Sequence, residues 1–446
     1  MAIAAVAPGP RGLPFVGHAP AFLHDKLGFL ARCAANYGPS VELNIGGPTY
    51  LLTSPDDVKH VLVSHAANYE KTPRLTGHRA RRFFGEGLTT ARGPVHLRQR
   101  RMLQPVFHRT IIARFAELVP ECTAEMTANW IEGTVVDIHR ELLGAMQRLT
   151  LKALFEDKPS AEMDRLRGAV SLRRRYQEYL LGAVFPFADR IPSRLGRAYA
   201  RAHRDIDGSV EMALQRRRTD TSPKADLLAL LMFARFEDGS GMTDHQIRDE
   251  VRTLTVAGYE TVAEALAWAS YLIATHPDVE ASLVSELSGL PDDAPLGIEA
   301  MSALRYCRMI LAEAMRLYPP TWLFVRVAEH DDVLPTGSFI PAGAKIYLSQ
   351  WVLHRNPRYF PDPERFDPER FTDNAIRSRP RFTYIPFGAG RRLCIGEDFA
   401  WMQAVLALAW IMRRFRLRLE PGQTITPEPN VTLRPRDGIR MRIAPR

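Results

Sequence analysis

One cysteine of this chain sits in a setting suited to chemistry. In Phe387-Gly-Ala-Gly-Arg-Arg-Leu-Cys-Ile-Gly396, Cys394 lies among Gly388, Gly390 and Gly396 and just after Arg391 and Arg392. The glycines allow tight turns and a close backbone approach to a flat ligand. An apolar run over 397–415 follows at once and reads as a helix. The N–H groups and dipole at its N-terminus favour a thiolate. A thiolate presented this way is a metal ligand or a nucleophile. Arg392 can reach an anionic group on the same ligand. Cys33, Cys122 and Cys307 have no such setting and read as small buried hydrophobes.

Three further groupings carry possible chemistry. In Ala257-Gly258-Tyr259-Glu260-Thr261 an acid stands beside a hydroxyl, a pair that can relay protons. Gly258 inside a helix costs about 1 kcal/mol against Ala. It therefore points to a packing need or to a ligand lying against the backbone. Thr261 can bond back to a carbonyl and distort the helix locally. His96 and Arg100 are four apart and share a helix face, from which both can donate to a carboxylate. Glu313 and Arg316 also share a face, although an exposed pair of this kind would contribute little.

These residues need elements to position them. Thr243 and Gln246 form a capping-box pattern that opens a helix running to about His276, just before Pro277. That helix would be roughly 50 Å long at 1.5 Å per residue. Residues 1–20 form a proline-rich lead-in, followed by a helix over 22–37. Val41, Leu43 and Ile45 alternate up to Gly46-Gly47, and the chain returns through Tyr50 to Thr53, which predicts a hairpin. Ser54-Pro55 predicts a cap and first turn of a short helix. Residues 71–95 read as irregular, 110–235 as helical without a chemical motif, and 335–348 and 425–433 as small strands. The fold class is mainly α with small β-sheets, α+β.

Bulk properties narrow the function. The 446 residues are 46% hydrophobic, and no linker, repeat or low-complexity tract divides them, which predicts one large unit. Four cysteines without a CxxC pair argue against a disulfide framework or zinc ribbon and fit a cytoplasmic protein. The apolar stretches at 1–7 and 401–412 are too short to span a bilayer, so no transmembrane anchor is expected. A net charge of +9 suits an acidic protein partner; no nucleic-acid motif accompanies it. Gly388-x-Gly390 lacks the third glycine of a phosphate-binding loop.

The pattern Phe387-x-x-Gly390-x-Arg392-x-Cys394-x-Gly396 resembles, at every position, the haem-binding loop of the cytochrome P-450 superfamily. Residues 257–261 are similar to that family's oxygen-activation motif, with Val262 where Thr or Ser is usual. Glu313-x-x-Arg316, completed by Arg370 in Phe366-Asp-Pro368-Glu-Arg370-Phe371, resembles its buried ion-pair scaffold. The motifs fall in the family's order, and the likeness covers essentially the whole chain.

The resemblance implies a single haem domain over 1–446, without a fused reductase. Haem b would lie between the long central helix and the Cys-loop helix. Cys394 would be the proximal thiolate ligand of iron. His96, Arg100, Arg326 and Arg392 would hold propionates, and Phe387, Gly396, Ala257 and Gly258 would also contact the cofactor. Glu260 and Thr261 would be catalytic, delivering protons on the oxygen side. Glu313, Arg316 and Arg370 would be structural. The substrate pocket would be lined by Leu75, Phe83, Phe84, Leu88, Phe185, Val256, Trp322, Leu323, Val325 and Leu433.

The implied activity is a monooxygenase that inserts one atom of dioxygen into an apolar fatty acid, terpenoid or steroid-like molecule. Electrons would pass from NAD(P)H through a separate ferredoxin or flavodoxin and its reductase, docking near Arg98, Arg101 and Arg391. The protein is expected to be a monomer. The alternatives are a peroxygenase or hydroperoxide isomerase of the same fold, or a haem sensor.

Overall fold

The computed structural model describes residues 7–155, 163–172, 174, 194–219, 226–290 and 296–446. The chain divides into two compact units. The first comprises Met1–Arg74, Arg308–Ile395 and Pro427–Arg434; the second comprises Leu75–Cys307, Gly396–Thr426 and Pro435–Arg446.

The first unit is built on a five-stranded sheet. Ser40–Asn44 and Pro48–Leu52 form the antiparallel hairpin, turning through Gly46 and Gly47 at φ 63° and 119°. Both angles favour glycine. The second strand pairs in parallel with Lys345–Leu348, which pairs antiparallel with Phe324–Ala328, and Tyr69–Lys71 closes the edge. Val41 and Leu43 alternate inward, as a half-buried strand requires. Leu52, Ile346 and Leu348 pack on Val58, Val61 and Leu62. These last come from the helix Pro55–Lys59 and the π-turn His60–Ser64 that continues it. Ser54 stands at the cap position, but its side chain makes no capping bond. The expected helix over 22–37 is two helices, Ala19–His24 and Lys26–Tyr37. Asp25 interrupts them and caps the second through the Gly28 N–H.

Helices dominate the second unit. Ile138–Leu154 packs along Glu260–Thr275, whose Leu266, Ala267 and Trp268 are fully buried. Glu397–Arg414 contributes a nearly continuous buried run from Phe399 to Met412. The region over 110–235 is not purely helical: Val135–Asp137 pairs with the C-terminal strand Arg440–Pro445, which also pairs with Phe415–Leu419.

The main departure from the sequence reading concerns the long central helix. It is two helices, Asp244–Ala257 and Glu260–Thr275, separated at Gly258-Tyr259. The capping box at its start is present: Gln246 N–H donates to the Thr243 hydroxyl at 3.2 Å, and Thr243 N–H donates to Gln246 Oε1 at 2.9 Å. At the break, Tyr259 leaves helical geometry at φ −122°, and the Thr261 hydroxyl donates to the Ala257 carbonyl at 3.3 Å. Such back-bonding gives a carbonyl at the break an alternative donor. Among the described residues, no helix is long and apolar enough to cross a membrane.

Candidate functional site

In the first unit, the chain after Ile385 folds into a compact loop. Gly388 N–H donates to the Ile385 carbonyl, Leu393 N–H to Gly390 and Cys394 N–H to Phe387, each at 3.0 Å. Gly388 and Gly390 adopt φ 78° and 65°, so a side chain would strain either position. A Cβ on Gly390 would also overlap the Leu62 carbonyl oxygen, so the loop sits directly on the π-turn. Gly396, in the second unit, differs: its φ is −94°, and a Cβ there would meet only the Phe107 ring, at 3.9 Å.

The loop is anchored from beneath. His354 Nε2 accepts from Ile385 N–H at 3.0 Å, and Gln350 Nε2 donates to the Ile385 carbonyl at 2.8 Å. Burial and the neighbouring Arg316 keep His354 neutral, well below the ordinary histidine range. Glu313 and Arg316 are both fully buried and form a bidentate pair at 2.6 and 2.7 Å. Arg316 also donates to the carbonyls of His354, Pro363 and Arg365. Arg370 Nε lies 3.5 Å from Glu313. A buried pair of this type is demanding: removing one partner typically costs about 3–5 kcal/mol. Its geometry fits a scaffold for the loop rather than a reacting group.

Cys394 is the one exposed cysteine; Cys33, Cys122 and Cys307 are buried. Burial pushes the Cys33 thiol up to about 11 and the Cys122 thiol up to about 12, and raises Cys307 well above its usual value. Those three are held protonated, whereas Cys394 is exposed.

Beside the loop lies a cationic cluster. Arg391 and Arg392 donate to opposite oxygens of Glu70 at 2.9 and 2.7 Å. Lys71 stands directly across the strand pair from Arg326. Arg326 is buried; burial and then the Arg392 charge pull its guanidinium down to about 10. Arg326 Nη1 donates to the Val325 carbonyl at 3.0 Å. Sequence reading found Arg326 and Arg392 but missed Glu70 and Lys71, whose short stretch Tyr69-Glu-Lys71 carries no motif. Only strand pairing reveals them.

In the second unit, His96 is buried and Arg100 half-buried, one turn apart on the helix Gly93–Leu103. Glu260 is buried at the start of its helix, 4.0 Å from Arg174. Gly258 has a different neighbour from the flat ligand considered above: a Cβ there would lie 3.1 Å from Thr150 Cγ2 and 2.9 Å from the Leu254 carbonyl oxygen. Close approach of the helix Ile138–Leu154 therefore accounts for this glycine.

The expected docking cations are already engaged. Arg98 bridges to Asp238 at 2.6 Å and Arg101 to Glu237 at 2.9 Å. Of the pocket candidates, Phe84 and Val256 pack with Tyr199 and Leu195, and Leu75 and Leu88 are half-buried. Trp322 and Leu433 are buried in the first unit's core with Phe22, Leu30 and Tyr347, and Leu323 and Val325 pack against that cluster. Trp322 Nε1 donates to the Asn430 carbonyl at 3.0 Å, so Trp322 and Leu433 are core residues here. Phe185 and the Phe83 side chain lie outside the described residues.

Comparison with known proteins identifies the family. The family model for cytochrome P450 matches residues 7–442. The chain belongs to the cytochrome P450 family. This cytochrome P450 is 36% identical over 438 residues to cyclooctatin synthase of Streptomyces melanosporofaciens, covering 96% of this chain and 93% of that protein. It is 34% identical to cyclooctat-9-en-7-ol 5-monooxygenase of the same organism, covering 93% and 90% of the two chains. It is 31% identical to pentalenene oxygenase of Streptomyces avermitilis, covering 100% and 98%. Among solved structures, the haem domain of cytochrome P450DA superposes with a TM-score of 0.89 at 25% identity, covering 100% of this chain and 98% of that one.

The residues present fit a haem. Buried Arg326 and half-buried Lys71, Arg391 and Arg392 gather near the Glu70 carboxylate, an excess of positive charge that suits the carboxylates of that cofactor. The exposed Cys394 in a glycine turn suits a thiolate ligand to iron.

Proposed function

We propose that this cytochrome P450 hydroxylates or epoxidises an apolar cyclic terpenoid, using electrons from a separate ferredoxin or flavodoxin and its reductase. The observation that carries the substrate class is kinship over nearly the full chain with oxygenases named for cyclooctat-9-en-7-ol and pentalenene.

Cys394 would hold the haem through its thiolate, and the bound haem would supply dioxygen activation. The remaining tasks fall to the chain. Arg326 and Arg392 hold carboxylates in a desolvated setting where charge-assisted bonds are strong. Glu260 and Thr261 hold and pass a proton. The acid is buried, and the hydroxyl rests on the Ala257 carbonyl, a bond it can exchange for another acceptor. Phe84 and Val256, packed together in the second unit, supply apolar surface that favours a hydrocarbon over water.

Titrating the purified holoenzyme with cyclic terpenes, fatty acids and steroids, while following the haem spin-state spectrum, tests this reading. A cyclic terpene is expected to give the largest shift and to become an oxygenated product only when a redox partner is supplied. Response to fatty acids alone would overturn the substrate class. Turnover with peroxide but with no redox partner would overturn the electron route.

A further inference from the structure

The second unit holds a polar cavity that the oxygenation chemistry does not use. It measures about 530 Å³ and is lined from the helix Ile138–Leu154, from the segment that carries Arg167 and Arg174, and by Tyr259 at the break of the central helix. Its size is that of a small-molecule site, but such sites are mostly apolar. Among the described lining residues are four arginines, Arg140, Arg148, Arg167 and Arg174, against two acids, Glu125 and Glu141. Glu125 is already shared: Arg148 Nη1 lies 2.7 Å from it, and Lys152 Nζ donates to it at 2.7 Å. Arg167 meets the exposed Asp164 at 3.2 Å, a contact one turn away that contributes little. The Arg167 Nε is buried and has no acceptor among the described residues. A buried donor left in that state is costly, more so on a charged group. Gln147 Nε2 fixes the local geometry by donating to the Arg167 carbonyl and the Ser171 hydroxyl, each at 3.2 Å.

Two backbone features point the same way. Gly144 lies inside the helix Ile138–Leu154, where glycine costs about 1 kcal/mol against alanine. Packing explained Gly258, but it does not explain Gly144: among the described residues, a Cβ there would meet only Arg167 Nη2, at 4.0 Å. Gly144 therefore leaves the helix backbone open to the cavity. Tyr259 is the N-cap residue of Glu260–Thr275 and supplies no side-chain cap, so the positive end of that helix dipole lies at the cavity wall.

We propose that this cavity is an anion site whose ligand is a phosphate-type oxyanion, free or carried by a small molecule. Guanidinium forks match phosphate oxygens in pairs, and the bonds are charge-assisted. Arg167 Nε gains the acceptor it lacks, and the opening at Gly144 lets the ligand lie close against the helix. A lone phosphate fills only a small part of the cavity, so a phosphorylated molecule is expected to bind more tightly than the free ion.

The test is calorimetric titration of the haem-loaded protein with inorganic phosphate and with glycerol phosphate, at an ionic strength held constant with chloride. It reads binding directly and does not depend on turnover or on the terpenoid reading. Both phosphates are expected to saturate one site in wild type, whereas glycerol and chloride give no binding heat. Arg167→Gln should weaken binding at least about tenfold, the loss expected for hydrogen bonds to a charged group. Gly144→Met should abolish binding by filling the opening. Its thermal midpoint should hold or rise, because methionine is the better helix former, so that loss would not reflect unfolding. Tighter binding of glycerol phosphate would assign the site to a phosphorylated molecule, and equal binding would assign it to the free ion. Heat reproduced by chloride alone, or phosphate affinity unchanged in both variants, would overturn the proposal.

Discussion

At Thr261 the hydroxyl and the helix break are one feature. Its bond to the Ala257 carbonyl sits where the backbone leaves helical geometry, beside a buried acid. A hydroxyl held there is both a helix distortion and a movable proton donor. Thr261→Val keeps the shape and removes the proton. We expect product formation to fall roughly 10²-fold, the lower range for losing a positioned proton donor. Electron consumption should continue and appear as peroxide. Unchanged product per electron consumed would remove Thr261 from the proton path. Gly258 shows the opposite lesson: its missing side chain makes room for Thr150 on a packed helix, so a glycine inside a recognised motif can answer to packing.

Among the elements, the segment Gly85–Thr90 is clipped to the helix Asp244–Ala257 by side chains of that helix. Asp249 accepts from Glu86 N–H at 2.7 Å, Glu250 accepts from Leu88 N–H at 3.0 Å, and the Thr253 hydroxyl donates to the Phe84 carbonyl. Burial pushes the Glu250 carboxyl up to about 7, against an ordinary value of 4.5, because desolvation outweighs the N–H donor. The folded state therefore holds a proton there that the unfolded state releases. The stability this contributes is fully present below about pH 4.5 and is lost as pH rises through about 7. Glu250→Gln keeps an acceptor for Leu88 and cannot ionise. Thermal midpoints measured between about pH 5 and about pH 7 should fall in wild type by the equivalent of roughly 1–3 kcal/mol relative to the variant. Parallel curves would show that Glu250 does not titrate in this range.

For the whole molecule, charge matters more through its sum than through the arginines first singled out. Arg98, Arg101 and Arg391 are each bridged to a carboxylate of the same chain. The net charge of +9 remains, and a charge of that size favours long-range attraction of an acidic protein. The rate of reduction by an acidic ferredoxin should fall steeply with added salt, since the screening length is only about 10 Å at 0.1 M. Reversing Arg98 or Arg101 alone should change that rate less than twofold. A salt-insensitive rate would exclude electrostatic steering.

The sequence alone determined the family and the Glu313–Arg316 pairing with Arg370, and it marked Cys394 and the acid–hydroxyl pair as the residues to test. Each is written in contiguous residues, or in helical spacing that places side chains on one face. It also located the hairpin and the capping box, whose turn and cap chemistry are local. Tertiary structure decided what depends on partners distant in the chain. The helix break at Gly258 arises where Thr150 approaches from another helix. Gly390 is required by the carbonyl of Leu62 as well as by its own turn. Trp322 and Leu433 have the composition of pocket residues, yet packing with Phe22 and Tyr347 makes them core. Lys71 becomes part of a charge cluster only because strand register sets it against Arg326. Register and helix contact are long-range choices made by burial of apolar surface, so no local pattern announces them.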